Sequence, residues 1–367
     1  MLLFLLIAFF LRTYQLDHQA LRGDEAATVL YAALPVTDLW ELSRVTDPHP
    51  PFYYLMLHPW QWLFGETGWV MRFAGVVAST LAVAVLYRLG RESLALPTVS
   101  LLAAGLLAVN PLQVWQAQDI RSYPFFALFG LLSSWALWRS VVGSRKSVVS
   151  RQMSVAGSQM SIRPTSYVLR PWLLYIAFTV ISLYTHYYTV FLIAFQGLFV
   201  VFNARRLWPV RWVWLVSQLL IGLLILPGLG LAYNFIGQAA GGIDTIPTLE
   251  IFRRALTALL TGFTLDFGPG LWAAILLTPF ALLGLVNLLR RDIVSGSFWA
   301  LYFLIPVGGV IALSIDRPFF KERFLTQAQP AFELLLAMGL LTLWFLPIKQ
   351  LSNSHHYALR TTHYVLR

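Results

Sequence analysis

Two short polar runs carry most of the side chains able to do chemistry. The first is Arg22-Gly23-Asp24-Glu25 and the second Asp47-Pro48-His49-Pro50-Pro51. A carboxylate such as Asp24 or Glu25, partly desolvated by aromatic neighbours, can take a proton from a hydroxyl. An Asp before Glu-Ala-Ala-Thr also suits a helix N-cap, with Glu25 favourable in the first turn, and both readings can hold together. At the second run, Pro50 and Pro51 suit a helix start, whose free amides with His49 make an anion site. The plainer alternative is a stiff proline turn.

Three further runs belong with these. Gln118-Asp119-Ile120-Arg121-Ser122-Tyr123 offers Arg121, suited to bidentate phosphate binding, and the Tyr123 hydroxyl. The same residues could form an interfacial Arg–Asp pair with aromatic anchors. Tyr184-Thr185-His186-Tyr187-Tyr188 places His186 and Tyr187 in an aromatic turn, where a lone His is commonly structural. Arg317, Lys321, Glu322 and Arg323 form a basic cluster that a phosphate would explain, or that Asp316 and Glu322 could pair. The chain has no Cys, no His cluster at metal spacing and no phosphate-cradling glycine loop.

The elements that must hold these residues are read from composition. Of 367 residues 58% are hydrophobic and 11% charged, too few charges for a soluble surface. Windows of about twenty apolar residues match the hydrocarbon thickness of a bilayer. The fold class is therefore an all-α polytopic membrane protein, with about ten transmembrane helices near 1–16, 69–89, 95–111, 123–139, 172–186, 188–204, 212–231, 270–289, 298–315 and 325–347. The 172–204 stretch could instead be one long helix. The apolar run Leu2 to Leu11 reads as a short first span rather than a signal peptide. Pro51 to Phe64 and residues about 250–264 are amphipathic and too short to span comfortably, so both read as interfacial helices. Glu25 to Leu34 can form another short helix. Glu333, inside the last span, should face the bundle, paired or protonated.

The net charge of +10 admits nucleic acid as a partner, but its placement argues against that. With the N-terminus inside, 16 of the 26 basic residues fall on the cytoplasmic side and most acids fall outside. The polar runs then share the extracytoplasmic face. Residues 1–349 form the membrane domain, with the first outer loop at about 17–68. The Ser/Arg-rich loop at about 140–170 and the tail 350–367 read as poorly ordered cytoplasmic segments.

Together these runs resemble the membrane glycosyltransferases of the GT-C superfold. The resemblance is nearest to glycosyltransferase family 39, the protein mannosyltransferase and aminoarabinose transferase type. It is carried by Arg22-Gly23-Asp24-Glu25, by Asp47 to Pro51 with its aromatic helix, by Trp69-Val70-Met71-Arg72, by Gln118 to Tyr123 and by Arg323-Phe324, and covers most of 1–345. It implies an inverting glycosyltransferase of the plasma (inner) membrane. A sugar would pass from a polyprenyl-monophosphate carrier to an acceptor hydroxyl of a glycan, lipid or protein on the outer face. It implies Asp24 as the base, assisted by Glu25. Asp47, His49, Arg121, Tyr123, His186, Tyr187, Lys321 and Arg323 would hold donor phosphate and sugar. No covalently bound cofactor is implied, and a divalent metal stays open. Some relatives carry Glu-Lys where this chain has Pro48-His49, and the usual C-terminal extension is missing. A lipid-linked sugar flippase is the alternative; it needs a polar path through the bundle, whereas the ionisable residues here gather at one face.

Overall fold

The computed structural model describes residues 1–45, 49–154, 165–238, 246–262, 267–315 and 320–343, excepting the side chains of 44–45, 142–154, 165–168, 209, 231–238 and 267. Every regular element among them is helical. In chain order these are α1 (Leu2–Thr13), α2 (Gly23–Ala32), α3 (Val36–Val45), α4 (Phe52–Phe64), α5 (Gly68–Leu94), α6 (Pro97–Val109), α7 (Pro111–Ala117) and α8 (Tyr123–Ser154). They continue as α9 (Thr165–Thr185), α10 (Thr189–Phe202), α11 (Ala204–Leu207), α12 (Arg211–Gln238), α13 (Thr248–Thr261), α14 (Phe267–Arg291) and α15 (Ile293–Ser314). A 3₁₀ turn at Glu322–Gln327 leads into α16 (Gln329–Leu343).

The fold is that of a multi-pass membrane protein. By length and composition α5, α14, α15 and the Arg211–Gly230 part of α12 can each cross a bilayer. The α6–α7 pair makes a fifth span bent by 55° at Asn110-Pro111. Leu2–Thr13, Leu169–Thr185, Thr189–Phe202 and Gln329–Leu343 are apolar but shorter, so the expected ten spans are not reproduced by length alone. α5 lies centrally, with 56% of its apolar window buried, against 17% for α12. α12 turns Leu219, Leu223 and Leu226 outward, as a helix facing lipid does. The chain breaks at His186 to Tyr188, so the 172–204 stretch is two helices.

Three sequence expectations change. Asp24 is not an N-cap: α2 begins two residues earlier, with Arg22 as cap. The 140–170 segment is helical on both sides of 155–164, because α8 carries on to Ser154 and α9 starts at Thr165. Low-complexity composition did not stop a helix already nucleated in an apolar span, since propagation adds one bond per residue fixed. The tail 350–367 lies outside the described residues. Between α2 and α4 the structure adds α3, whose mixed composition gave no clear period.

Glu333 faces the bundle, as expected. Its Oε1 accepts from Asn110 Nδ2 and Gln329 Nε2, both at 2.8 Å.

Candidate active site

The polar runs meet at one end of the bundle, and buried braces decide how. Glu25 is the third residue of α2, and its Oε2 accepts from the Arg22 backbone N–H at 3.0 Å, closing a capping box. Its carboxylate is buried and faces Arg72 of α5 in a fork, with Arg72 Nε to Oε1 at 3.0 Å and Nη2 to Oε2 at 2.9 Å. The Ile120 backbone N–H adds a fourth donor at 3.2 Å. Burial pulls the Glu25 carboxyl upward, but Arg72 and the two backbone amides outweigh it and hold it below the usual range. Remaining Arg72 donors go to the carbonyls of Leu16, Gln19 and Ala20. This one guanidinium thus ties the first outer loop to α5, and Glu25 ties both to the α7–α8 loop.

The α7–α8 loop is aimed by the α6–α7 break. Asn110 ends α6 and caps α7, accepting from the Gln113 N–H at 3.0 Å, with Pro111 at the first helical position. Gly75 of α5 lets α7 approach: a Cβ there would sit 2.8 Å from the Ala117 carbonyl oxygen. Gln118 then donates to the carbonyls of Leu11, Arg12 and Tyr14 at the end of α1. Asp119 is buried and meets Arg22 Nη2 at 2.7 Å, while Arg22 also lies over the Trp115 ring. Burial raises the Asp119 carboxyl, only partly offset by Arg22.

Asp24 comes out differently from Glu25. One position earlier on the helix is a turn of about 100°, and its side chain is 43% exposed. Its nearest cation is Arg121, with Nε 3.9 Å from Oδ2, too long for a hydrogen bond. Arg121 is itself largely buried and donates from Nη2 to His49 Nε2 at 3.0 Å. His49 therefore accepts on Nε2 and carries its proton on Nδ1. Partial burial, then Arg323 and Arg121, lower the Lys321 pKa, while Asp24 raises it. Lys321, Arg323, Arg121 and Asp24 are thus within electrostatic reach of one another. Arg323 lies over the Tyr123 ring, 5.4 Å from its centroid. Neither Lys321 nor Arg323 has a carboxylate partner among the described residues.

His186 is buried among Phe126, Tyr123, Tyr188 and Phe324, with the Phe126 ring stacked at 4.6 Å. Its Nδ1 accepts from the Tyr188 N–H at 3.2 Å. Burial, then the charges of Arg121 and Arg323, push it well below the usual imidazole range, so the ring is neutral. Tyr187 follows it in the same turn. Between these groups a cleft opens, lined by Thr28, His49, Tyr53, Tyr54, Arg121, Ser122 and Thr185. Its walls are hydroxyls and aromatic rings around one guanidinium. Asp47 lies outside the described residues. No three His, Asp or Glu side chains converge as metal ligands among the described residues.

Asp24, His49, Arg121, Tyr123, His186, Lys321 and Arg323 thus share one region. Arg72, Asp119 and Arg12 matter to it but were not candidates from sequence. Arg72 had a signal, a charge near the start of an apolar span.

The architecture has known counterparts. The oligosaccharyltransferase of Archaeoglobus fulgidus superposes with a TM-score of 0.59 at 14% identity, over 96% of this chain and 52% of that one. ArnT from Cupriavidus metallidurans gives 0.59 at 16%, over 92% and 59%. This chain has the GT-C fold. A sequence model of the dolichyl-phosphate-mannose-protein mannosyltransferase family matches residues 48–182, and no curated protein sequence matches the chain. The A. fulgidus enzyme AglB has been solved with an inhibitory peptide and a dolichol-phosphate (TM-score 0.60, 12% identity, 96% and 51% covered), and ArnT with undecaprenyl phosphate. The chain spans between half and three-fifths of the length of these structures.

Proposed function

We propose that this GT-C chain is an inverting glycosyltransferase that moves a sugar from a polyprenyl-monophosphate carrier to an acceptor hydroxyl at the extracytoplasmic face of the plasma (inner) membrane. The observation that carries the reading is the contrast within one acidic pair. Glu25 is spent on Arg72, while Asp24 stays accessible beside Arg121 and within electrostatic reach of Lys321. Relatives in fold that bind dolichol-phosphate and undecaprenyl phosphate support the choice of carrier.

Asp24 takes the acceptor's hydroxyl proton as its oxygen attacks the anomeric carbon from the face opposite the phosphate. The carbon–oxygen bond to phosphate breaks, and polyprenyl phosphate leaves with both electrons of that bond. Arg121, Lys321 and Arg323 gain attraction as the leaving group gains negative charge, so they favour the transition state over the bound donor. A neutral His186 can hydrogen-bond without adding a fourth fixed charge.

The test is Asp24→Asn in reconstituted membranes with a radiolabelled polyprenyl-phosphate sugar. Transfer is expected to fall by about 10²–10⁴-fold, the range for a lost general base, with folding and insertion intact. Wild-type rates from that variant would remove Asp24 from the reaction. A chain that moves the lipid between leaflets without releasing sugar would be a flippase.

A further inference from the structure

Lys321 and Arg323 flank a carboxylate, Glu322, in the chain itself. A carboxylate tethered between two cations that have no carboxylate partner among the described residues is a competitor for them, because its effective concentration is set by the backbone and not by solution. Were it free, it would mimic the anion the cluster is built to take.

The structure turns it elsewhere. Glu322 opens a 3₁₀ turn, in which successive side chains diverge by about 120°. Arg323 points to the Tyr123 ring and Glu322 to α13. There Arg254 binds the carboxylate with two nitrogens, Nε at 2.6 Å and Nη2 at 2.5 Å, both on Oε1. The Arg254 guanidinium also lies 5.8 Å from the Phe320 ring centroid. α13 is held at its far end. The Leu259 carbonyl accepts from Asn110 Nδ2 at 3.2 Å and from Gln329 Nε2. Gly262 follows in the left-handed region at φ +57°, where an added Cβ would sit 2.8 Å from Leu112 N. The arginine therefore stands on a helix braced to α7 and α16.

We propose that Arg254 is a positioning residue that withholds Glu322 from the Lys321–Arg323–Arg121 cluster and so keeps that cluster open to the carrier phosphate. This rests on the transferase reading and adds regulation of its anion site. An ion pair that only braced α13 would be damaged by removing either partner. A guard behaves asymmetrically: removing Arg254 harms anion binding, and also removing Glu322 repairs it.

The experiment titrates polyprenyl phosphate against the full chain in nanodiscs, comparing Arg254→Gln, Glu322→Gln and the double variant. Released between two cations near the surface, Glu322 is expected to weaken binding about tenfold in Arg254→Gln. Glu322→Gln is expected to bind at least as tightly as wild type, and the double variant within about twofold of it. In the transfer assay, Arg254→Gln raises the KM for the lipid-phosphate sugar and leaves kcat at saturation near wild type. A double variant as weak as Arg254→Gln, or Glu322→Gln as weak on its own, overturns the guard and leaves a brace. Wild-type protein that does not bind polyprenyl phosphate overturns the transferase reading as well.

Discussion

Asp24 and Glu25 are neighbours of identical chemistry, and one helical step gives them opposite fates. Glu25 points inward to a guanidinium 47 residues further along the chain. Glu25→Gln leaves Arg72 buried and uncompensated, at a cost of about 3–5 kcal/mol. The thermal midpoint of Glu25→Gln in detergent is therefore expected to drop sharply, while Asp24→Asn stays within about 0.5 kcal/mol of wild type; a reversed order would undo the division of roles. Nothing in Arg22-Gly23-Asp24-Glu25 shows which acid is spent, because the deciding partner is remote. Lys321 supports a second expectation. Its folded pKa is lowered by burial and by Arg323 and Arg121. The folded protein then holds that proton less well than the unfolded chain, so stability rises as pH climbs through the lowered pKa. Phosphate binding moves the other way, since a cation is lost. Affinity for polyprenyl phosphate should decline at a pH below the ordinary lysine value of about 10.4, and Lys321→Arg should abolish that decline.

The bent α6–α7 element converts a membrane helix into a support for the site. A proline at position 111 removes an N–H and leaves the last carbonyls of α6 without helical partners inside the bundle. Arg12 of α1 supplies them. Its Nη1 donates to the Ala108 carbonyl at 2.7 Å and its Nη2 to Leu107 at 3.2 Å, with Nε on Ser79 Oγ at 2.8 Å. A cation is also the favoured charge at a helix C-terminus. Arg12→Leu strands buried acceptors at about 1–3 kcal/mol each and frees the Gln118 loop that α1 anchors. The variant is expected to insert, to unfold at lower temperature and to turn over more slowly; an unchanged midpoint would show that the carbonyls find other donors. A proline after a capping Asn reads as a helix boundary in any sequence, and α2, α4 and α13 were legible as short helices. Arg12 was not, because a charge at the end of a short apolar run reads as an interfacial anchor and its acceptors are backbone atoms about a hundred residues away.

Across the whole molecule the two ends are chemically distinct, and that polarity bears on the proposed orientation. α5 has 27 residues, about 40 Å at 1.5 Å each. One end carries Arg72 and the site, the other Arg88, Arg91 and Glu92. At that second end Glu92 pairs with Arg88 at 3.0 Å and Arg139 at 3.6 Å, and its Oε2 accepts from Trp135 Nε1. Asp292 caps α15 there, with Arg205, Arg206, Arg290 and Arg291 close in sequence to these helix ends. Positive loops favour the cytoplasm, which supports the proposed orientation with the site end outside. The chain has no cysteine, so single-cysteine variants need no background removed. Glu66 is exposed between α4 and α5, beside the site, and Arg205 is exposed at the basic end. In intact cells a membrane-impermeant maleimide is expected to label Glu66→Cys at once and Arg205→Cys only after permeabilisation. Labelling in the opposite order would put Asp24 in the cytoplasm, and the acceptor would then have to be a cytoplasmic one.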